Sequence, residues 1–135
     1  MTNSQRMLTT LIIGLAIAAA ARAEDRKLDY QVLSTSRVST MEKELNQAAA
    51  SGYRFVKVTS TPNIFGGKEL VVVTVRDLDN AASDTRHYKV LSAGRSSSLQ
   101  KKVQAAAKEG YEYLEQTEMP NIFGGTELVV ILEKK

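Results

Sequence analysis

Residues Tyr30 to Asp77 and Tyr88 to Lys135 align with each other at a constant offset, without a gap, and close to half of the aligned positions are identical. Tyr-x-Val-Leu-Ser opens both copies, Ala-Ala-x-x-Gly-Tyr stands in the middle of both, and Pro-Asn-Ile-Phe-Gly-Gly followed by Glu-Leu-Val-Val comes near the end of both. An internal duplication limits the fold more than any other feature, because whatever one copy forms the other must form too. Two copies at this period are too few and too long for a solenoid, which stacks three or more short repeats. The expectation is two small units sharing one core, since a single unit of this size buries too little surface to be secure alone.

Local chemistry gives each unit a βαββ order. A short β-rich segment comes first (Tyr30 to Ser34, Tyr88 to Ser92). Apolar residues then recur along one helix face: Met41, Leu45, Ala48 and Ala49 in the first copy, Leu99, Val103, Ala106 and Ala107 in the second. Ser39-x-x-Glu42 and Ser97-x-x-Gln100 have the spacing of capping boxes and predict the helix starts. Gly52 and Gly110 mark the stops. A second strand runs from Tyr53 to Ser60 (Tyr111 to Glu118), with the core-facing residue left open between Phe55 and Val56, and between Tyr113 and Leu114. The last strand, Glu69 to Val75 and Glu127 to Leu132, is a continuous apolar run suited to a central position or a shared interface.

The first and second strands are expected to run parallel through a helical crossover, the third returning by a hairpin. Edge-to-edge pairing of the units predicts an α+β fold: a mostly antiparallel six-stranded sheet, two helices on one face, and a pseudo-two-fold axis. Arg54 and Lys57 correspond to Glu112 and Glu115, and Glu44 to Lys102. Such reversals either attract across the junction or reflect drift on solvated faces.

The segment before the repeat reads as a secretory signal. Arg6 precedes an apolar run from Leu8 to Ala21, and Ala21-Arg22-Ala23 places small residues at the cleavage positions. The expected organisation is therefore a leader over 1–23, a first unit over 24–77, a linker over 78–87 and a second unit over 88–135, with 30–135 compact. The expected location is periplasmic or secreted, with no membrane span after cleavage. The formal charge of +3 owes much to this leader, which holds two Arg and no acid; the rest carries 16 basic and 15 acidic residues. Such a balance does not suggest nucleic-acid binding. Cysteine is absent, which removes disulfides, thiol chemistry and thiolate metal sites.

Tyr88-Lys89-Val90-Leu91, Glu44-Leu45-Asn46 and Gly110-Tyr111-Glu112-Tyr113-Leu114 follow a recognisable scheme. Each copy resembles the small module of the bacterial domain-of-unknown-function 4177 family, so the chain looks like a tandem pair of them. Tyr53 and Tyr111 stand where that family usually has Trp, and the Pro-Asn-Ile-Phe-Gly-Gly loop lies outside its general pattern. The resemblance implies the βαββ fold and brings no activity with it.

The repeated loop is the leading candidate site, through Asn63, Ile64 and Phe65 in the first copy and Asn121, Ile122 and Phe123 in the second. An Ile-Phe pair at a hairpin tip suits an apolar anchor for a partner. Gly-Gly could also hold an anion. The architectural alternative has Pro-Asn start the turn, Gly-Gly supply positive φ, and Ile and Phe fold back over the sheet end. Chemistry-bearing residues are otherwise sparse. His87 is the only histidine and lacks a matching residue in the first copy. Glu69 and Glu127 occupy equal positions, and a pseudo-two-fold could bring them together as a carboxylate pair for a small hydrolase or isomerase. No nucleotide, zinc or nucleophile motif occurs, so no cofactor or metal is expected. The sequence points first to a non-enzymatic binding module for a protein or envelope component, next to that Glu69/Glu127 enzyme, and finally to a self-associating structural protein.

Overall fold

In the computed structural model the described residues are 27–80, 84–121 and 123–135. The leader read in the sequence, part of the linker and Ile122 lie outside them. The elements are β1 (Leu28–Thr35), α1 (Val38–Ala50), β2 (Arg54–Pro62), β3 (Lys68–Asp77), β4 (His87–Ala93), α2 (Ser96–Lys108), β5 (Glu112–Pro120) and β6 (Thr126–Lys134). This is the expected α+β fold of two βαββ units.

Within each unit the last strand is central. The orders are β1-β3-β2 and β4-β6-β5, with antiparallel pairing throughout. β1 and β2 therefore run parallel to each other with β3 between them. The apolar run of β3 and β6 is explained by this central position.

Each helix stops as its glycine dictates. Gly52 and Gly110 take φ of 91° and 94°. Tyr53 N–H reaches the Ala48 carbonyl and Gly52 N–H the Ala49 carbonyl, and Tyr111 and Gly110 do the same to Ala106 and Ala107. Both are Schellman closures. The starts differ from expectation. The N-caps are Arg37 and Arg95, without a side-chain bond, so neither capping box forms. In the first copy the Glu42 carboxylate is drawn elsewhere: it accepts the Val90 N–H of the second unit at 3.0 Å.

The six strands form two three-stranded sheets instead of one continuous ladder. They adjoin where β2 meets β5, and side chains make the junction. Val58 N–H donates to Glu115 Oε2 at 3.0 Å, Ser60 Oγ donates to the Glu118 carbonyl at 2.7 Å, and Lys57 Nζ lies 3.9 Å from Glu115 Oε1. Ser60 and Glu118 are equivalent positions of the two copies, as are Lys57 and Glu115, so β2 and β5 run side by side in the same direction and in register. Each strand carries a bulge, between Phe55 and Lys57 and between Tyr113 and Glu115. Bulges twist an edge away from regular pairing, and a carboxylate here takes the N–H that a ladder would use. Of the three charge reversals, Lys57 with Glu115 meet; Arg54 pairs with Asp84 instead, and Lys102 donates to the Ser92 carbonyl.

The open facing question has opposite answers in the two copies, although both carry the bulge at the same position. Phe55 packs against the core while Val56 is exposed; in the second copy Leu114 packs inward and Tyr113 is exposed.

The two helices do not share a face of one sheet. α1 lies against the inner face of its own sheet (Leu33, Leu70, Val72) and also against the second sheet, where Tyr88, Val90, Val129 and Ile131 join the same core. α2 covers the opposite face of that second sheet, with Leu99 and Ala106 against Val130 and Leu132. The layers are thus first sheet, α1, second sheet, α2. Asn46 of α1 fixes this order: its amide accepts from Tyr88 N–H and donates to the Tyr88 carbonyl, both at 2.8 Å. The shared helix is buried on both sides, and Met41, Leu45, Ala48 and Ala49 are all buried; in α2, Ala107 is exposed.

Candidate functional site

The repeated loop joins the second and third strands of each unit, and its conformation follows from Asn-x-x-Gly-Gly. Asn63 N–H donates to the Gly67 carbonyl at 2.8 Å, and Gly66 N–H donates back to the Asn63 carbonyl at 3.3 Å. The Asn63 side-chain oxygen then accepts from Phe65 N–H at 2.9 Å and from Gly67 N–H at 3.0 Å. The second loop repeats every bond: Asn121 accepts from Phe123 N–H at 2.9 Å and Gly125 N–H at 2.8 Å. An asparagine side chain that bonds the backbone in this way mimics a further turn and locks the hairpin tip.

The two glycines serve different ends. Gly66 and Gly124 hold φ of 84° and 81°, where a side chain would strain the backbone. Gly67 and Gly125 lie against the asparagine amide: a Cβ there would come within 3.3 Å and 2.9 Å of it. The architectural role of Asn and Gly-Gly is therefore real. It also removes the anion reading, because the N–H groups of Phe65, Gly66 and Gly67 already have acceptors inside the loop.

Ile64, Phe65 and Phe123 do not fold back. Ile64 is 92% exposed, Phe65 88% and Phe123 89%. A well-ordered turn thus holds an aromatic ring out in solvent, once per unit; Ile122 lies outside the described residues. Because β2 and β5 run in register, both loops leave the same end of the molecule, a few residues beyond the Ser60–Glu118 contact. Asn63 and Asn121 shape the tips, and Ile64, Phe65 and Phe123 are their exposed apolar side chains.

The other sequence candidates gain no support as chemistry. Glu69 accepts a hydrogen bond from Ser34 Oγ at 2.7 Å, a pairing within its own unit. Among the described residues no group of three or more His, Asp or Glu side chains could hold a metal ion. His87 is exposed at the start of β4. Tyr53 and Tyr111 follow the helix stops beneath cations, with the Arg76 guanidinium 4.7 Å from the Tyr53 ring centre and Lys89 Nζ 4.9 Å from that of Tyr111. Tyr53 also donates to Asp29, and this bond, with Arg76 beside it, holds the Asp29 carboxyl below its usual range.

A buried polar network had escaped the sequence reading. Tyr88 is 2% exposed; its hydroxyl accepts from Phe55 N–H and donates to Glu133, which pairs with Arg86. The one signal for it was Glu133, a charged residue at the position where the first copy has Val75.

No family model, curated protein or solved structure matches the chain.

Proposed function

We propose that the protein is an exported, non-enzymatic binding module that grips its partner with two aromatic hairpin tips. The observation that supports this most is the exposure of Phe65 and Phe123 on loops that the Asn63 and Asn121 side chains brace and that emerge side by side. A rigid aromatic in solvent loses little freedom when it enters a pocket, which makes it a good anchor. The leader-like N-terminal sequence supports export, and no described helix is long and apolar enough to cross a membrane. The resemblance to the domain-of-unknown-function 4177 family supports the module and leaves its ligand open.

Two tips on one body favour a partner that presents two equivalent apolar pockets, such as a symmetric protein dimer or a repetitive envelope component. The second contact then forms at an effective concentration set by the body, and avidity exceeds the affinity of either tip. Quantitative crosslinking in the native host, comparing wild type with Phe65→Ala, Phe123→Ala and the double variant, tests this. Each single variant should lose most of the captured partner and the double variant all of it. A folded double variant that captures the same partners in the same amounts ends the reading.

A further inference from the structure

The outer face of the first sheet is exposed, whereas its equivalent in the second sheet is buried in the core that it shares with α1 and the first sheet. Tyr30 is 58% exposed and Val32 62%, whereas their counterparts Tyr88 and Val90 are 2% and 5% exposed. The strand register places Val75 and Val73 beside them on the same face, with Val71 beyond, as Glu133, Ile131 and Val129 stand beside Tyr88 and Val90. Val129 and Ile131 are fully buried, while Val71 and Val73 are only half-buried.

The strand edge shows the same contrast. In the second sheet, Tyr88 and Val90 turn their backbone groups away from β6, and α1 meets them with the Asn46 amide and the Glu42 carboxylate. β1 pairs with β3 in the equivalent register, so Tyr30 and Val32 turn the same groups outward, along an edge that pairs with no other strand among the described residues.

The chain also carries a second helix of the kind that covers such a face. In α2, Gln104 stands at the position of Asn46 and Gln100 at that of Glu42. An amide at each can accept an N–H as its counterpart does, and the Gln104 amide can also donate to a carbonyl. Both are exposed and line a shallow depression along the helix with Lys101 and Lys108; Ala107, the counterpart of the buried Ala49, is exposed as well.

We propose that the protein associates head to tail with copies of itself: α2 of one chain docks on the outer face and β1 edge of the next, repeating the contact that α1 makes with the second sheet. The occupant is a second copy because both halves of one observed interface recur, unpaired, on opposite ends of the same molecule. Such an interface is heterologous; it leaves a free face at each end and extends into a stack. It is separate from the loop tips and does not rest on their function.

Sedimentation of the protein purified from cells expressing the full-length gene tests this. The weight-average mass should rise with concentration, without a plateau at dimer, up to about 1 mM, the weak-affinity limit of a useful measurement. Val32→Lys blocks the sheet end and Ala107→Arg the helix end; both positions are exposed, so both variants should fold with wild-type circular dichroism. Each alone should stay monomeric. An equimolar mixture should form a one-to-one dimer and stop there, since one intact sheet end meets one intact helix end. A wild type that remains monomeric throughout overturns the proposal, as does association that survives either substitution. So does a wild-type dimer that the mixture fails to restore, the behaviour of two sheet faces packed against each other.

Discussion

The Tyr88 hydroxyl accepts the Phe55 N–H of the first unit at 3.0 Å while it donates to Glu133 of the second at 2.8 Å. One buried oxygen thus joins the two units. Tyr88→Phe leaves the Phe55 N–H and a Glu133 oxygen without this partner, and should lower the unfolding free energy by about 1–3 kcal/mol in urea titrations. Burial, followed by the neighbouring Glu133, raises the Tyr88 hydroxyl above its ordinary value of 10.0. The folded state therefore keeps its proton where the unfolded chain has lost it. This stabilisation is complete below the unfolded value and declines as pH rises from there through the folded one. Denaturation midpoints measured on the alkaline side should fall more steeply for wild type than for Tyr88→Phe.

At the junction of β2 and β5 the two members of the Lys57–Glu115 pair should not be equal. Lys57 is the more exposed partner, and Lys57→Ala should change stability by no more than about 0.5 kcal/mol. Glu115→Ala also strands the N–H of buried Val58 and should cost about 1–3 kcal/mol. Equal effects in chemical denaturation would mean that the ion pair, and not the backbone contact, holds the junction.

The hairpin tips separate shape from contact. Asn63→Ala and Asn121→Ala each remove two hydrogen bonds and should cost about 1–2 kcal/mol. Phe65→Ser and Phe123→Ser should fall within about 0.5 kcal/mol of wild type, because both rings already lie in water. Gly125→Ala should destabilise more than Gly67→Ala, since its Cβ would come closer to the asparagine amide. Thermal melts of the six variants would check the order.

Asn46 and Gln104 occupy the same position in the two helices and should respond differently. Asn46→Leu removes both bonds to the Tyr88 backbone and should cost about 2 kcal/mol, whereas Gln104→Leu should leave the stability of a single chain nearly unchanged. Urea midpoints at low protein concentration give the comparison.

The repeat, the βαββ order and the glycine stops were legible because each rests on local chemistry: Gly52 and Gly110 need positive φ, and the Val-rich last strand suits a central position. The layer order was not legible. It depends on Asn46 and Glu42 reaching the backbone of β4, a contact far apart in sequence that no spacing rule encodes. The same contact took Glu42 from its capping box. The hidden residue was likewise beyond reach: the first copy turns Phe55 inward and the second turns Leu114, the counterpart of Val56, though the bulge falls at the same place in both. In the loop, the role of Asn-Gly-Gly could be read directly, but whether Phe65 and Phe123 lay on the sheet or in water is decided in three dimensions.

The double burial of α1 bears on how such a gene can change. Had each copy closed its own core, either could be lost and the other would survive as a working protein. Here a deletion of the second copy would uncover the β4-facing side of α1, and a deletion of the first would uncover Val90, Val129 and Ile131. Each copy has become the other's missing wall, so the chain cannot easily return to a single unit. Substitutions can accumulate most freely where the two helices now do different work, while the hairpin tips, whose geometry is the same in both, retain one sequence.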